Sequence, residues 1–299
     1  MMKNKFQIKN MTVSAIVLGA LGLLFAAGQV NAAEASWTPK KLSDGQPDVQ
    51  GFYKPEVEGT YSLVRPSRAP GIDQLEKIKN KTIPDLKTGA KPSRIIDPAD
   101  GQVPYQPWAR AKQKDIEEHI EVWVRPEQID PQVLCVPGGV TRTLFWSQLQ
   151  IQQFPGYVVF LFDGNHPYRV IPLDNRPHIP ENIKLWMSDS RGHWEGNTLV
   201  VDVANSNSKH RLSNEGDFAS DKVHITERFK FVSADSFVYS ARFEDPNVYT
   251  KPWTLASNFY RANKKDPNYE RWEVECHEGE KDVDDLFLGD KAHAPQVQR

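Results

Sequence analysis

The chain has 299 residues, 39% hydrophobic and 25% charged, ordinary globular values that exclude a mainly disordered, collagen-like or polytopic membrane protein. Lys and Arg number 37 against 39 Asp and Glu, a net charge of −2, so the bulk charge points to neither nucleic acid nor an anionic membrane surface. Two cysteines exclude a disulfide-dense miniprotein and any all-cysteine zinc or iron–sulfur centre.

Residues 1–32 read as a secretory signal. Lys3, Lys5 and Lys9 form a basic start, Val13 to Ala27 is an uncharged apolar run, and Val30-Asn31-Ala32 offers small residues for cleavage. A membrane span needs about 20 apolar residues, and this run is shorter. An uncleaved anchor is the rival reading, and the absence of a cysteine after the run excludes a bacterial lipoprotein. Cleavage removes three lysines and leaves the mature chain at −5. The expected destination is the periplasm or the exterior of a bacterial cell, with no stable membrane insertion after cleavage. That compartment is oxidising, and two thiols there most simply form one disulfide, Cys135–Cys276. The alternative, a nucleophilic or redox cysteine, lacks a C-x-x-C partner.

Residues 33–131 read as an extended wrapping arm packed on the rest, with 12 of the 22 prolines, among them Pro39, Pro47, Pro55, Pro84, Pro98, Pro104 and Pro107. Proline breaks helix interiors and central strands. Asp44-Gly45-Gln46-Pro47-Asp48 and Asp97-Pro98-Ala99-Asp100-Gly101 carry turn chemistry. One short helix is predicted over Trp108 to Glu121, with Pro107 at its start and Ile116 and Ile120 four apart.

Residues 132–299 read as a β domain. Predicted strands are Trp146–Gln153, Tyr157–Phe162, Tyr168–Leu173, Ile183–Met187, Thr198–Ala204, Val223–Val232, Ser236–Glu244, Trp253–Tyr260 and Glu270–Cys276. Pro155-Gly156, Asp163-Gly164-Asn165, Glu195-Gly196-Asn197 and Ser233-Ala234-Asp235 supply the turns. Many short strands in succession, with few helical stretches between them, predict a mainly β fold. The expected form is an antiparallel meander closing into a lipocalin-like barrel, or a sandwich. No internal repeat is visible.

The hairpin of Val223–Val232 and Ser236–Glu244 is the most sharply specified. Alternation places Val223, Ile225, Glu227, Phe229 and Phe231 on one face, and Phe237, Tyr239, Ala241 and Phe243 on one face of the partner. The apolar faces coincide only when paired residue numbers have an even sum, since a one-residue slip turns every side chain over. A three-residue turn then sets Phe229 opposite Tyr239 and Glu227 opposite Ala241. Glu227 is thereby expected on the inner wall. A carboxylate there needs a partner or a raised pKa. One reading pairs it with an arginine such as Arg176, Arg191 or Arg261. The other makes it a general acid or base at the floor of a pocket, with Tyr239 as proton donor.

Asp174-Asn175-Arg176-Pro177-His178 and Asp189-Ser190-Arg191-Gly192-His193 read as two loops of similar make-up. At one rim of a barrel they would form a charged mouth, with Arg176, His178, Asp189 and Arg191 orienting a substrate; as plain turns they need no such role. His178, His193, His224 and His277, with Asp221, Glu275 or Glu278, lack H-x-H or H-E-x-x-H spacing, so no metal is expected. No G-x-S-x-G, phosphate-cradling glycine loop or dinucleotide fingerprint is present, so no cofactor is expected either. Trp146, Trp253 and Trp272 fall on predicted strands and belong to the core, with Trp253 a candidate floor for a ligand.

Several strings resemble an uncharacterised family of exported bacterial proteins. They are Asp44-Gly45-Gln46-Pro47-Asp48, Ser93-Arg94-Ile95-Ile96-Asp97-Pro98, Arg176-Pro177-His178, Asp189 through Gly196, Thr198-Leu199-Val200-Val201-Asp202, Glu227-Arg228-Phe229, Glu244-Asp245-Pro246 and Cys276-His277-Glu278-Gly279. The resemblance covers nearly the whole mature chain and implies one unit rather than two shuffled domains. It carries no reaction with it.

Three functions follow as expectations. The first is a cofactor-free acid–base enzyme, an isomerase or lyase, acting on a small, largely apolar molecule through Glu227 and Tyr239. The second is a periplasmic binding protein for an apolar or aromatic ligand. The third is a carbohydrate-active or envelope-associated protein using exposed tryptophans. In each the partner is a small molecule or the envelope, not nucleic acid.

Overall fold

Period-two alternation decides which face of each strand turns inward, and the wall of the protein is built on it. The computed structural model describes residues 37–65, 93–120, 123–165, 167–264, 268–270, 274 and 276. The predicted signal at 1–32, His277 and Trp272 lie outside the described residues. The strands are β1 Gly51–Pro55, β2 Ile95–Asp97, β3 Leu149–Phe154, β4 Tyr157–Phe162 and β5 Tyr168–Pro172. They continue with β6 Asp189–Glu195, β7 Thr198–Ala204, β8 His224–Ser233, β9 Ser236–Glu244 and β10 Trp253–Arg261. Among the described residues two α-helices accompany them, α1 Pro107–Glu118 and α2 Gly139–Trp146.

Nine strands run side by side in the order β5-β4-β3-β1-β10-β9-β8-β7-β6, antiparallel throughout, and form a nearly closed barrel. β2 pairs with Thr254 and Leu255 of β10, while β1 pairs with Phe259 to Arg261. Two meanders, β3-β4-β5 and β6 through β10, are thus joined by β1 from the N-terminal stretch. That stretch supplies barrel wall, where the proline content suggests only an extended wrapping arm. The reason is local: β1 needs only five residues, and its one proline, Pro55, stands at its end.

β5 and β6 end the order of paired strands and meet through side chains. Arg169 Nη2 on β5 donates to Ser190 Oγ on β6 at 2.9 Å. Gly192 leaves the necessary room, since a Cβ there would lie 2.6 Å from Ile171 Cγ2 and 3.0 Å from Leu173 Cδ2.

The hairpin register matches the parity argument, with Phe229 opposite Tyr239 and Glu227 opposite Ala241. Inside, Phe229, Phe237, Tyr239 and Phe259 are wholly buried, and their ring centroids lie 4.8–6.0 Å apart. Side chains therefore fill this part of the barrel.

Other readings are corrected. Asp189–His193, read as a loop, belongs to β6, because its serine and glycine face the seam where small residues are needed. Ile183–Met187 is no strand and makes only an isolated bridge at Leu185 to Ser206; its apolar residues stay partly exposed. Trp146 ends α2 and is exposed rather than core, because the helix Gly139–Trp146 takes the start of the predicted strand. The described part of 270–276 makes a single bridge, Val274 to Gly164. α1 begins at Pro107 as expected and stops at Glu118, burying Ala109, Gln113 and Ile116 along one face. The disulfide joins Cys135 to Cys276, 141 residues apart, with 5.5 Å between Cα atoms. No helix among the described residues is long and apolar enough to cross a membrane.

Candidate functional site

Three polar assemblies stand out. The first lies inside the barrel. Glu227 on β8 is 0% exposed and is held from two sides. Tyr239 Oη on β9 donates to Glu227 Oε1 at 2.7 Å, and Arg169 Nη2 on β5 donates to Oε2 at 2.6 Å. Burial, followed by the Glu227 charge, pushes the Tyr239 hydroxyl well above the ordinary tyrosine value. The partner is Arg169, which the sequence reading did not name. Arg176 instead pairs with Asp174, Arg191 with Asp189, and Arg261 bonds Tyr53 and the Ala234 carbonyl. Sequence separation explains the miss: Arg169 reaches Glu227 only because the seam brings β5 across the barrel. Trp253, the proposed ligand floor, is wholly buried, stacked 4.3 Å from Phe243 and edge-on to Tyr249.

The second assembly lies at the end of the barrel where β6 and β8 begin and β7 ends. His178 Nδ1 is 2.7 Å from Asp189 Oδ2, which also accepts the Ile179 N–H at 3.1 Å. Arg191 Nη1 holds the other Asp189 oxygen at 2.6 Å. His178 Nε2 and His224 Nε2 both face Asp202 Oδ1, at 3.1 and 2.6 Å. The His224 hydrogen bond, against burial, pulls the Asp202 carboxyl below its ordinary value, and the same bond raises His224. Three of the four proposed mouth residues, His178, Asp189 and Arg191, are therefore together. Arg176 is spent on Asp174 and Tyr157. As they stand, these side chains are hydrogen-bonded to one another and do not surround a metal position.

The third assembly, absent from the sequence reading, is a cavity of about 330 Å³ beside α1. Its wall is polar. α1 contributes Arg110, Gln113 and Glu117, the 213–217 loop contributes Glu215 and Asp217, and Val64 and Val103 are its apolar lining. Gly216, at φ +90°, lets the loop lie on α1, where a Cβ would come within 2.6 Å of Ile116 Cβ. Gln113 Nε2 fastens the same loop by donating to the Glu215 carbonyl at 2.8 Å.

Asp217 is the chemically distinctive group of this cavity. Tyr105 Oη donates to its Oδ1 at 2.7 Å and Ser213 Oγ to its Oδ2 at 2.6 Å. Burial raises the Asp217 carboxyl, opposed by those two hydrogen bonds. Burial likewise raises the Tyr105 hydroxyl well above the ordinary value, helped by the Asp217 charge. A buried carboxyl raised by its surroundings, in the wall of a cavity, suits general acid–base chemistry. Tyr105 and Asp217 stand 112 residues apart, so no local motif announces the pair. The available signal was the Ser213-Asn214-Glu215-Gly216-Asp217 string, two acids about a turn-forming glycine.

No protein-family model matches the chain, and no curated protein matches it as a relative.

Proposed function

We propose that this chain is an exported acid–base enzyme, an isomerase or lyase, acting on a small polar molecule in the α1 cavity. Asp217 moves the proton, and Tyr105 supports the carboxyl group and shares its hydrogen bond. The observation that carries this reading is the buried, upward-shifted Asp217 in the wall of a cavity large enough for a metabolite. Glu227 is given a structural role, because its charge is met by the buried Arg169, whereas Asp217 has only the hydroxyls of Tyr105 and Ser213 as direct partners and lines the cavity. The substrate moves with the site. A wall in which charged and amide side chains outnumber two valines suits a polar molecule better than the apolar one read from Glu227. Export is supported by the basic, apolar and small-residue stretches at the start of the sequence and by the Cys135–Cys276 disulfide.

The test is proton exchange. Purified protein is incubated in D2O with a panel of hydroxy acids, keto acids and sugars, and NMR follows the loss of carbon-bound protons. Asp217→Asn is expected to slow the exchange at least about 100-fold with the fold intact by circular dichroism. Undiminished exchange in that variant overturns the assignment. Binding of a panel member without exchange or product favours the binding-protein reading instead.

A further inference from the structure

The two arginines of the α1 cavity are in different electrostatic states, and the difference speaks to the ligand. Arg65 is committed: its Nη2 donates at 2.7 Å to both Glu117 Oε1 and Glu215 Oε1. That pairing commits the cation to two glutamates, Glu117 and the buried Glu215. Arg110 is different. Its Nη1 donates to Gln113 Oε1 at 2.9 Å and its Nη2 to the Val103 carbonyl at 3.2 Å, both neutral acceptors. Its guanidinium carbon lies 4.8 Å from the centroid of the Tyr105 ring, within cation–π range. Two neutral hydrogen bonds leave further N–H donors of the fork unused. The same Tyr105 carries the hydroxyl bonded to Asp217, so the cation and the acid–base carboxyl share one aromatic support.

Resting on the acid–base reading of this cavity, we propose that its ligand is a small carboxylic acid whose carboxylate is received by Arg110. A planar, singly charged carboxylate matches the planar fork in shape and in charge. A phosphate dianion would bring two charges to a cavity whose three carboxylates, Glu117, Glu215 and Asp217, already outnumber Arg65 and Arg110, whereas a carboxylate brings one. A neutral apolar ligand would make no use of the unused Arg110 donors. A carboxylate on Arg110 would share the cavity with Asp217, which as a carboxylate would take a proton from the neighbouring carbon and return it, with no change of oxidation state.

The experiment is calorimetric titration with acetate, lactate, succinate and malate, and with their neutral amides, on the full mature chain. At least one acid is expected to bind more than tenfold more tightly than its amide. Arg110→Gln is expected to weaken that acid at least tenfold, and Arg110→Lys to recover part of the loss. Asp217→Asn is expected to keep the acid bound while proton exchange is lost. Amides that bind as well as the acids, indifference to Arg110→Gln, or no acid binding at millimolar concentration would each overturn the proposal. The two readings fail separately. Acids that bind through Arg110 without proton exchange sink the enzyme and leave the anchor. Exchange of a neutral molecule that needs Asp217 but not Arg110 sinks the anchor and leaves the enzyme.

Discussion

Glu227 shows that strand parity can place a side chain without choosing between an arginine pair and an acid–base role. Its inward direction followed from parity alone; its partner, Arg169, followed from what stands across the barrel. Removing one member of a buried ion pair leaves the other charge uncompensated, and such changes cost about 3–5 kcal/mol. Glu227→Gln is therefore expected to lower stability by about that amount in urea denaturation, because Arg169 stays buried and charged. Turnover per folded molecule should be unchanged. Replacing Arg169 and Glu227 together by apolar residues is expected to cost less than Glu227→Gln alone.

A second test at this scale concerns Asp202 and His224. The Asp202 hydrogen bond raises His224, so its contribution is complete below the ordinary imidazole value of 6.5 and fades as pH rises through the raised value. Asp202 is lowered, so its contribution is present above 3.8 and fades as pH falls through the depressed value. Melting temperature followed from acid to mildly alkaline pH should lose both slopes in Asp202→Asn.

At the scale of the element, the α1 cavity depends on how closely the 213–217 loop approaches the helix. Gly216 combines a positive φ with backbone lying almost against Ile116, so any side chain meets both strain and a stiff β-branched neighbour. Gly216→Ala is expected to cost about 1–3 kcal/mol by thermal melting and to displace Asp217 from Tyr105. Acid binding should fall with it, while the barrel hairpins remain by circular dichroism.

Elements were legible to different degrees for identifiable reasons. β4, β7 and β9 carry four or more apolar or β-branched residues between clear turns, and their bounds are those predicted. β6 was hidden because Asp, Ser and Gly look like turn chemistry, yet small residues are what its place at the seam demands. β1 and β2 were hidden because each is short and set among prolines, with pairing partners far along the chain.

At the scale of the whole molecule, the Cys135–Cys276 disulfide closes a loop of 141 residues. Constraint of so long a loop in the unfolded chain is worth at most about 5 kcal/mol. Replacing both cysteines by serine is expected to lower the urea midpoint by the equivalent of about 2–5 kcal/mol, and reductant should reproduce the effect. The predicted antiparallel barrel is present and nearly closed, with β1 bridging the two meanders instead of standing outside them.

Sequence alone determined the alternating faces, the main hairpin with its register, the helix after Pro107 and the one disulfide. These follow from neighbours along the chain, from turn chemistry, or from there being just two cysteines to pair. Tertiary structure alone decided that Arg169 neutralises Glu227, that His178 and His224 share Asp202, and that Tyr105 meets Asp217 beside Arg110. Each of those contacts joins residues tens to more than a hundred positions apart, and a hydrogen bond across such a distance leaves no periodic trace in the chain that makes it.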